Sequence, residues 1–117
     1  MDIRLKRAYE LPVRSDGVRI LVDRLWPRGL RKEEAGIDEW MKDIAPSSEL
    51  RKRFGHDPGR WEEFVVQYRR ELEDNTALSG RLAELARKGR LTLVYGAKDE
   101  KHNNAAVLKA YLEETAS

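Results

Sequence analysis

The chain has 117 residues, with 23 lysines and arginines against 21 aspartates and glutamates, 40% hydrophobic residues and no cysteine. The length and the balance of apolar and charged residues predict one soluble globular domain over residues 1–117. The absence of cysteine excludes disulfides, thiolate catalysis and zinc–thiolate sites. No apolar run approaches the roughly 20 residues that a membrane span needs, and no signal-peptide core opens the chain, so we expect a cytoplasmic protein with no membrane partner.

Positive charge is concentrated at the start of the chain. Residues 1–32 contain nine lysines and arginines against four acidic residues, a balance of +5, and the remaining residues, with 14 against 17, sum to −3. Such a basic segment could contact nucleic acid or an acidic protein. Solvated side chains on strand edges are the simpler explanation, because the excess is modest and no aromatic residues are interleaved with the charges.

The first half of the chain predicts strands. Residues 3–9 alternate apolar and polar side chains, which is typical of a strand with one wet face. A second strand is predicted over residues 18–25, and its apolar run at 20–22 suits a sheet that is covered on both faces. Residues 29–36 predict a charged connection or a single helical turn, and residues 38–44 predict a short third strand or the start of a helix.

The second half of the chain predicts four helices and one more strand. A pair of serines precedes a short helix over residues 49–54 and can cap it. Leu78, Leu82 and Leu85 mark a further helix that follows Asn75-Thr76 as its cap and ends at Lys88-Gly89. A buried strand is predicted over residues 91–95, and the last helix from about residue 104 to residue 114.

The helix that follows Asp57 and Pro58 carries the clearest pattern, since this pair is a good helix start. Its apolar residues recur at i, i+3, i+4, i+7 and i+11, and they are Trp61, Phe64, Val65, Tyr68 and Leu72. This spacing places all five on one face and indicates a core face. A ligand platform and a dimer face are the alternatives.

Strands on both sides of a helical middle predict an α/β fold, with a small, mostly parallel sheet flanked by helices. Ligands of such sheets bind beyond the carboxyl ends of the strands. Two polar segments, residues 23–29 and residues 96–104, follow predicted strands and are expected at this edge. The second segment leads into a helix start, whose free N–H groups and dipole favour an anion.

The candidate site residues come from these two segments. The candidate ligand-binding residues are Arg24, Arg28, Lys98 and Asn103, and the candidate catalytic residues are Asp23, Asp99 and His102. Arg28 and Lys98 would hold an anion, since an arginine between proline and glycine gains little by packing. His102 or Asp99 would handle a proton, although a polar residue at a helix start is the alternative for His102.

Structural roles compete with several of these assignments. Asp23 would orient Arg24 in a functional site, but the two could equally form an ion pair that closes the end of a strand. Trp26 and Pro27 could form a packing plug. His56 is expected to be a capping or hydrogen-bonded histidine, because an aspartate follows it.

Three ordered motifs carry a family resemblance that covers nearly the whole chain. They are RLWPRG at 24–29, KDIAPSSELRKRFGHDPGRW at 42–61 and VYGAKDEKHNN at 94–104. With these motifs the chain resembles the YeaO-like branch of the bacterial domain-of-unknown-function family 488. The resemblance implies a compact α/β domain whose post-strand loops carry the distinctive residues, without an established activity. Other branches place cysteines and a CHR-like triplet after the last strand, where this chain has Tyr95 and Gly96, so a thiol-dependent role is not carried over.

Two functions of different classes follow from these patterns. The first is binding of a phosphate-bearing small molecule or nucleotide at the carboxyl edge of the sheet, with turnover left open. The second is a non-enzymatic interaction module that contacts nucleic acid or an acidic protein through its basic N-terminal third. No cofactor and no metal are expected, and the two histidines stand 46 positions apart.

Overall fold

Four parallel strands form the sheet at the centre of the protein. The computed structural model describes residues 1–115, in which the strands are β1 (Asp2–Arg7), β2 (Val18–Leu21), β3 (Glu39–Trp40) and β4 (Arg90–Tyr95). They lie in the order β1-β4-β2-β3, and each neighbouring pair is parallel. The helices are α1 (Lys32–Ala35), α2 (Ser48–Phe54), α3 (Trp61–Glu73), α4 (Thr76–Lys88) and α5 (Asn104–Thr115). The predicted α/β fold with a small parallel sheet is confirmed.

The two N-terminal strands are shorter than their sequence patterns predict. β1 ends at Arg7 and β2 at Leu21, whereas the patterns extend to residues 9 and 25. Both limits follow from their common neighbour β4, which ends at Tyr95. Tyr95 pairs with Arg7, and the pairing of Leu21 with Val94 leaves β2 little partner strand to continue along.

The structure decides the secondary structure of two segments for which the sequence left alternatives. Residues 29–36 contain a single helical turn, α1. Residues 38–44 contain both predicted alternatives in succession, because β3 is followed by a 3₁₀ turn at Lys42–Ile44.

One face of the sheet carries the main core, which it shares with helices α2 to α5. Strand alternation brings Ile3, Ile20 and Leu93 to this face, where they belong to one buried cluster with the inward residues of these helices. The apolar stripe of α3 lies within this cluster or packs against it, so its predicted role as a core face is confirmed. Ser47 accepts a hydrogen bond from the Leu50 N–H at 3.1 Å, which is the predicted cap of α2. None of the helices within residues 1–115 is long and apolar enough to cross a membrane.

The other face of the sheet is covered by connecting segments rather than by long helices. A small buried cluster lies there, with three core residues and three partly buried ones: Ala8, Leu21, Val94, Trp26, Leu30 and Ile37. Beside it, the buried Arg19 donates to Asp16 Oδ2 at 2.7 Å and to the carbonyl oxygens of Ala35 and Gly36 at 2.9 and 3.0 Å. Lys6 lies 3.0 Å from the same carboxylate. This ionic network ties β1, the start of β2 and α1 together.

Candidate functional site

An open cleft of about 510 Å³ lies at the carboxyl edge of the sheet. Parallel strands end on the same side, so the segments that follow all four strands can reach it. Its lining includes Tyr9 after β1, residues 23–28 after β2, Pro46 after β3, and residues 96–97 and 102–104 after β4. The end of α2, His56 and Phe64 of α3 complete the lining. The volume falls in the range of about 300–1,000 Å³ that is usual for small-molecule sites.

Within residues 1–115, Asp23 is the one acidic residue that lines the cleft. Its Oδ2 accepts a hydrogen bond from the backbone N–H of Gly96 at 2.8 Å, and its Oδ1 accepts one from Asn104 Nδ2 at 3.2 Å. Glycine at position 96 permits this close approach, since a Cβ there would lie 3.2 Å from Asp23 Oδ2. Burial raises the pKa of Asp23, and the two hydrogen bonds and the positive charge of Arg51 oppose this only in part. The carboxylate therefore joins the segments after β2 and β4 and takes up a proton more readily than an ordinary aspartate.

The raised pKa of Asp23 gives an expected pH dependence of stability. Between the ordinary value of 3.8 and the raised pKa, the folded state binds more protons than the unfolded state. The contribution of Asp23 to the free energy of unfolding is therefore full below pH 3.8 and is lost as the pH rises through the raised pKa. Asp23→Asn lacks this titration, so the wild-type stability minus that of Asp23→Asn should decrease with increasing pH across this window.

Urea denaturation followed by tryptophan fluorescence, between about pH 4 and pH 7, measures this difference. The carboxyls of Asp2, Asp16 and Asp99 have pKa values below 3.8, so their contributions change at lower pH and cancel in the comparison. A difference that stays constant with pH would contradict the raised pKa of Asp23.

Arg24 lines the cleft, but its guanidinium is bound to the backbone. Its Nε donates to the carbonyl oxygen of Pro46 at 3.1 Å, and its Nη2 donates to that of Ala45 at 3.2 Å. The ion pair between Asp23 and Arg24 that their adjacency suggests is absent from the described residues, because the two side chains bind different segments. Arg24 thus fastens the post-β2 turn to the segment that precedes α2.

The turn at residues 26–29 is held from both sides and presents Arg28. Trp26 donates from Nε1 to the carbonyl oxygen of Leu30 at 2.6 Å and packs against the small buried cluster, as a packing plug would. Tyr9 donates from its hydroxyl to the carbonyl oxygen of Arg28 at 2.9 Å, and Gly29 supplies a left-handed conformation with φ of 79°. The Arg28 side chain is exposed, lines the cleft and has no ion pair or hydrogen bond within residues 1–115.

Arg51 and Lys52 bring two further cations to the cleft, and sequence reasoning missed both. They lie near the end of α2, are exposed, and form no ion pair or hydrogen bond through their side chains in the described part of the chain. The adjacent Arg53 lies 4.0 Å from Glu49 and does not line the cleft. The basic run at residues 51–53 was the available signal, but such runs ordinarily only complement a helix dipole.

His102 reaches the cleft immediately before α5, in contact with Asp99. Its Nδ1 lies 2.9 Å from Asp99 Oδ2, and the ring of Trp61 meets the imidazole edge-on at a centroid distance of 5.0 Å. The backbone N–H groups of Lys101 and His102, together with the His102 side chain, lower the pKa of Asp99. With Nδ1 facing an ionised carboxylate, the imidazole donates from Nδ1, and Nε2 is the ring nitrogen that remains for another partner.

Asn103 and Asn104 begin the last helix. Asn103 is buried, its Oδ1 accepts a hydrogen bond from the Ala106 N–H at 2.8 Å, and its Nδ2 donates to the carbonyl oxygen of Asp99 at 3.0 Å. Asn104 Nδ2 donates to the carbonyl oxygen of Val22 at 2.9 Å as well as to Asp23. Both side chains line the cleft, and both are used to fix the start of α5.

His56 also lines the cleft, which its sequence context did not reveal. Its φ of 58° is the one positive value among the non-glycine residues of the described chain, and its ring lies 5.9 Å from that of Phe54. The prediction of a capping or hydrogen-bonded His56 is wrong in both forms: Asp57 accepts the capping hydrogen bond, from the N–H of Gly59 at 2.9 Å, and the His56 side chain has no hydrogen bond within residues 1–115. His56 and His102 thus line one cleft, but within residues 1–115 no three histidine, aspartate or glutamate side chains form a group that could hold a metal ion.

The structure brings five of the seven predicted site residues to the cleft: Asp23, Arg24, Arg28, His102 and Asn103. Lys98 and Asp99 are exposed and lie outside the lining. Asp99 is connected to the cleft through His102, whereas Lys98 has no such connection among the described residues.

The fold and the cleft define a small parallel-sheet α/β protein with a cleft at the carboxyl edge of its strands. The chain belongs to the DUF488-N3i family, described as the inactive DUF488-N3 subclade, whose model matches residues 2–117. The YeaO-like membership in family 488 that the three motifs predict is thereby confirmed.

Individual relatives match over nearly their whole length. The chain is 47% identical over 112 residues to the uncharacterized protein YeaO of Escherichia coli strain K12, which covers 96% of this chain and 97% of YeaO. It is 41% identical over 110 residues to the uncharacterized proteins Mb3100c of Mycobacterium bovis and Rv3073c of Mycobacterium tuberculosis, covering 94% of this chain and 92% of each relative. No solved structure matches the chain.

Proposed function

We propose that this protein binds a phosphate-bearing small molecule, with nucleotides included in the class, in the cleft at the carboxyl edge of its sheet. The observation that carries the proposal is the convergence of Arg28, Arg51 and Lys52 on one cleft, although none of these side chains has an ion pair or hydrogen bond within residues 1–115. Guanidinium and ammonium groups are the side chains that proteins use to bind phosphate.

Arg28 and Arg51 differ from most of the other exposed or half-buried arginines, which have an acidic partner. That partner lies within 4.0 Å, and the paired arginines are Arg4, Arg31, Arg53, Arg60, Arg69, Arg81, Arg87 and Arg90. Cations that outnumber the acidic groups of a concave site raise the local concentration of an anion.

A binding role is proposed in preference to turnover. The matched subclade is described as inactive, which favours binding without chemistry. His102, oriented by Asp99, then serves as a hydrogen-bonding partner of the ligand, and Arg24 and Asn103 support the cleft through the bonds that they make to the backbone. Lys98 adds positive charge nearby without touching the ligand. A cytoplasmic location, where phosphorylated metabolites are abundant, fits this role.

The alternative function, an interaction module that uses the basic N-terminal third, has less support. The cations of that third are largely engaged within the protein: Lys6 and Arg19 pair with Asp16, and Arg4 pairs with Asp2. A nucleic acid would find few of them free to contact its backbone.

Calorimetric titration of the purified protein with inorganic phosphate, sugar phosphates, nucleoside monophosphates and short oligonucleotides tests the proposal. We expect saturable binding of at least one phosphomonoester that persists at high salt, and we expect Arg28→Gln to weaken it by roughly 10-fold or more, because a hydrogen bond to a charged group contributes about 1.5–3 kcal/mol. Arg70→Gln, which removes an exposed arginine outside the cleft, should leave the affinity unchanged.

Two results would overturn the proposal. One is the absence of saturable binding by any phosphomonoester. The other is binding of oligonucleotides alone, with an affinity that falls steeply as salt rises, which is the behaviour of phosphate-backbone contacts and would favour the interaction module.

A further inference from the structure

Asp23 is a carboxylate in a cleft whose other charged lining residues are cations or histidines. Gly96 N–H and Asn104 Nδ2 each occupy one acceptor position, on Oδ2 and Oδ1 respectively. Since a carboxylate oxygen has two lone pairs, each oxygen retains one further acceptor position. Asp23 is half-buried and lines the cleft, so a bound molecule can meet these positions.

The position of Asp23 is difficult to explain by stability alone. Removing a carboxylate from water is unfavourable unless it is paired and hydrogen-bonded. Asp23 has two hydrogen bonds but no ion pair within the described residues, and the positive charge of Arg51 offsets its burial only in part. A carboxylate also repels a phosphate at short range. A ligand that binds this cleft therefore has its phosphate at the cations Arg28, Arg51 and Lys52, and a different chemical group at Asp23.

The group that a carboxylate without an ion-pair partner recognises is a hydrogen-bond donor. Sugar hydroxyls and the N–H groups of nucleobases both supply such donors, and an ionised carboxylate accepts them at short distance. A site that is built to bond a donor discriminates strongly against an analogue that lacks it, because the buried acceptor is then left unpaired.

We propose that Asp23 is the specificity-determining residue of this cleft, and that it accepts a hydrogen bond from an O–H or N–H group remote from the phosphate of the ligand. This inference rests on the proposed function, because it takes the cations of the cleft to hold the phosphate. The ligand class is then a phosphomonoester that carries a donor at its other end, such as a sugar phosphate or a nucleoside monophosphate.

Three probe molecules distinguish binding of the phosphate from binding of the hydrogen-bond donor at the other end of the ligand. Methyl phosphate has the phosphate alone, ribose phosphate adds hydroxyl donors, and guanosine monophosphate adds the N–H donors of a base. We expect the wild-type protein to bind at least one donor-bearing probe roughly 10-fold or more tightly than methyl phosphate, as the strength of a charged hydrogen bond implies. If ribose phosphate already binds more tightly than methyl phosphate, the donor is a sugar hydroxyl. If only the nucleotide binds more tightly, the donor is an N–H group of the base.

Asp23→Asn is the decisive variant, since its amide oxygen can still accept from Gly96 N–H while the charge and one acceptor are lost. We expect it to reduce the preference for the donor-bearing probe by about 10-fold or more and to leave methyl phosphate binding within about threefold of wild type. Asp23→Ser, which also removes the charge, provides the same comparison if the asparagine variant does not fold.

This experiment distinguishes failure of the inference about Asp23 from failure of the proposed function. Equal weakening of all probes by Asp23→Asn would mean that Asp23 only holds Gly96 and Asn104 in place. Equal strengthening would mean that it only repels phosphate. Either result overturns the inference and leaves the proposed function standing, whereas a wild-type protein that binds none of the probes and no other phosphomonoester overturns both.

Discussion

Replacement of Arg28, Arg51 and Lys52 together by glutamine is expected to weaken the binding of a phosphomonoester by at least about 100-fold, because each charged hydrogen bond contributes roughly 1.5–3 kcal/mol and about 2.8 kcal/mol corresponds to this factor. Glutamine removes the charge and keeps a long, polar, helix-compatible side chain. None of the three cations is paired within residues 1–115, so the fold should be retained. Calorimetric titration with the tightest-binding phosphomonoester of the wild-type protein measures the loss.

A control variant is matched for net charge and removes one cation from the last turn of α2. It replaces Arg14, Arg53 and Arg70 by glutamine, which also removes three positive charges, and none of these residues lines the cleft. Arg53 lies in the same last turn of α2 as Arg51 and Lys52. We expect its affinity to stay within about threefold of wild type, since exposed charges at a distance are screened by salt. Equal losses in the two variants would show that binding responds to overall charge rather than to the cleft.

Arg19→Met is expected to lower the free energy of unfolding by roughly 3–5 kcal/mol, the usual cost of removing one partner of a buried ion pair. Arg19 is 3% exposed, and its guanidinium satisfies the Asp16 carboxylate and the carbonyl oxygens of Ala35 and Gly36. Methionine fills much of the same volume but leaves these acceptors without their donor. Urea denaturation followed by the fluorescence of the three tryptophans measures the change.

Arg4→Met provides the comparison for this variant. Arg4 also pairs with an aspartate, Asp2 at 3.0 Å, but both side chains are exposed. Exposed ion pairs contribute about 0–1 kcal/mol, so Arg4→Met should be nearly neutral. If Arg19→Met were no more destabilising than Arg4→Met, the ionic network would not be what holds α1 and the start of β2 on the second face of the sheet.

Much of the secondary structure could be predicted because it depends on local patterns. The stripe of α3, from Trp61 to Leu72, repeats with the helical period, and a stripe of this kind can be buried only on one side. Ser47 and Gly55 are residues that favour the two ends of α2, and they occupy those ends. The ends of β1 and β2 were missed because the length of their neighbour β4, not their own composition, limits them.

The candidate site was predicted only where it lies directly after a strand. Asp23, Arg28 and His102 follow β2 and β4 closely in sequence, so the rule that ligands collect at the carboxyl edge found them. Arg51 and His56 belong to no such segment. They reach the cleft because α2 packs against α3 beside the sheet edge, and this depends on contacts between residues far apart in the chain.

The sequence by itself determined the α/β class, the family, the core face of α3 and the edge of the sheet at which polar residues collect, because composition, periodicity and ordered motifs are properties of the chain alone. Only the tertiary structure decided the partners of the charged groups. Asp23 and Arg24 are adjacent, yet Asp23 bonds Gly96, 73 positions away, and Arg24 bonds the carbonyl oxygen of Pro46, 22 positions away. A charged side chain takes the partner that the folded backbone brings within hydrogen-bonding distance, and that distance is set by how the strands are ordered and not by how close the residues are in sequence.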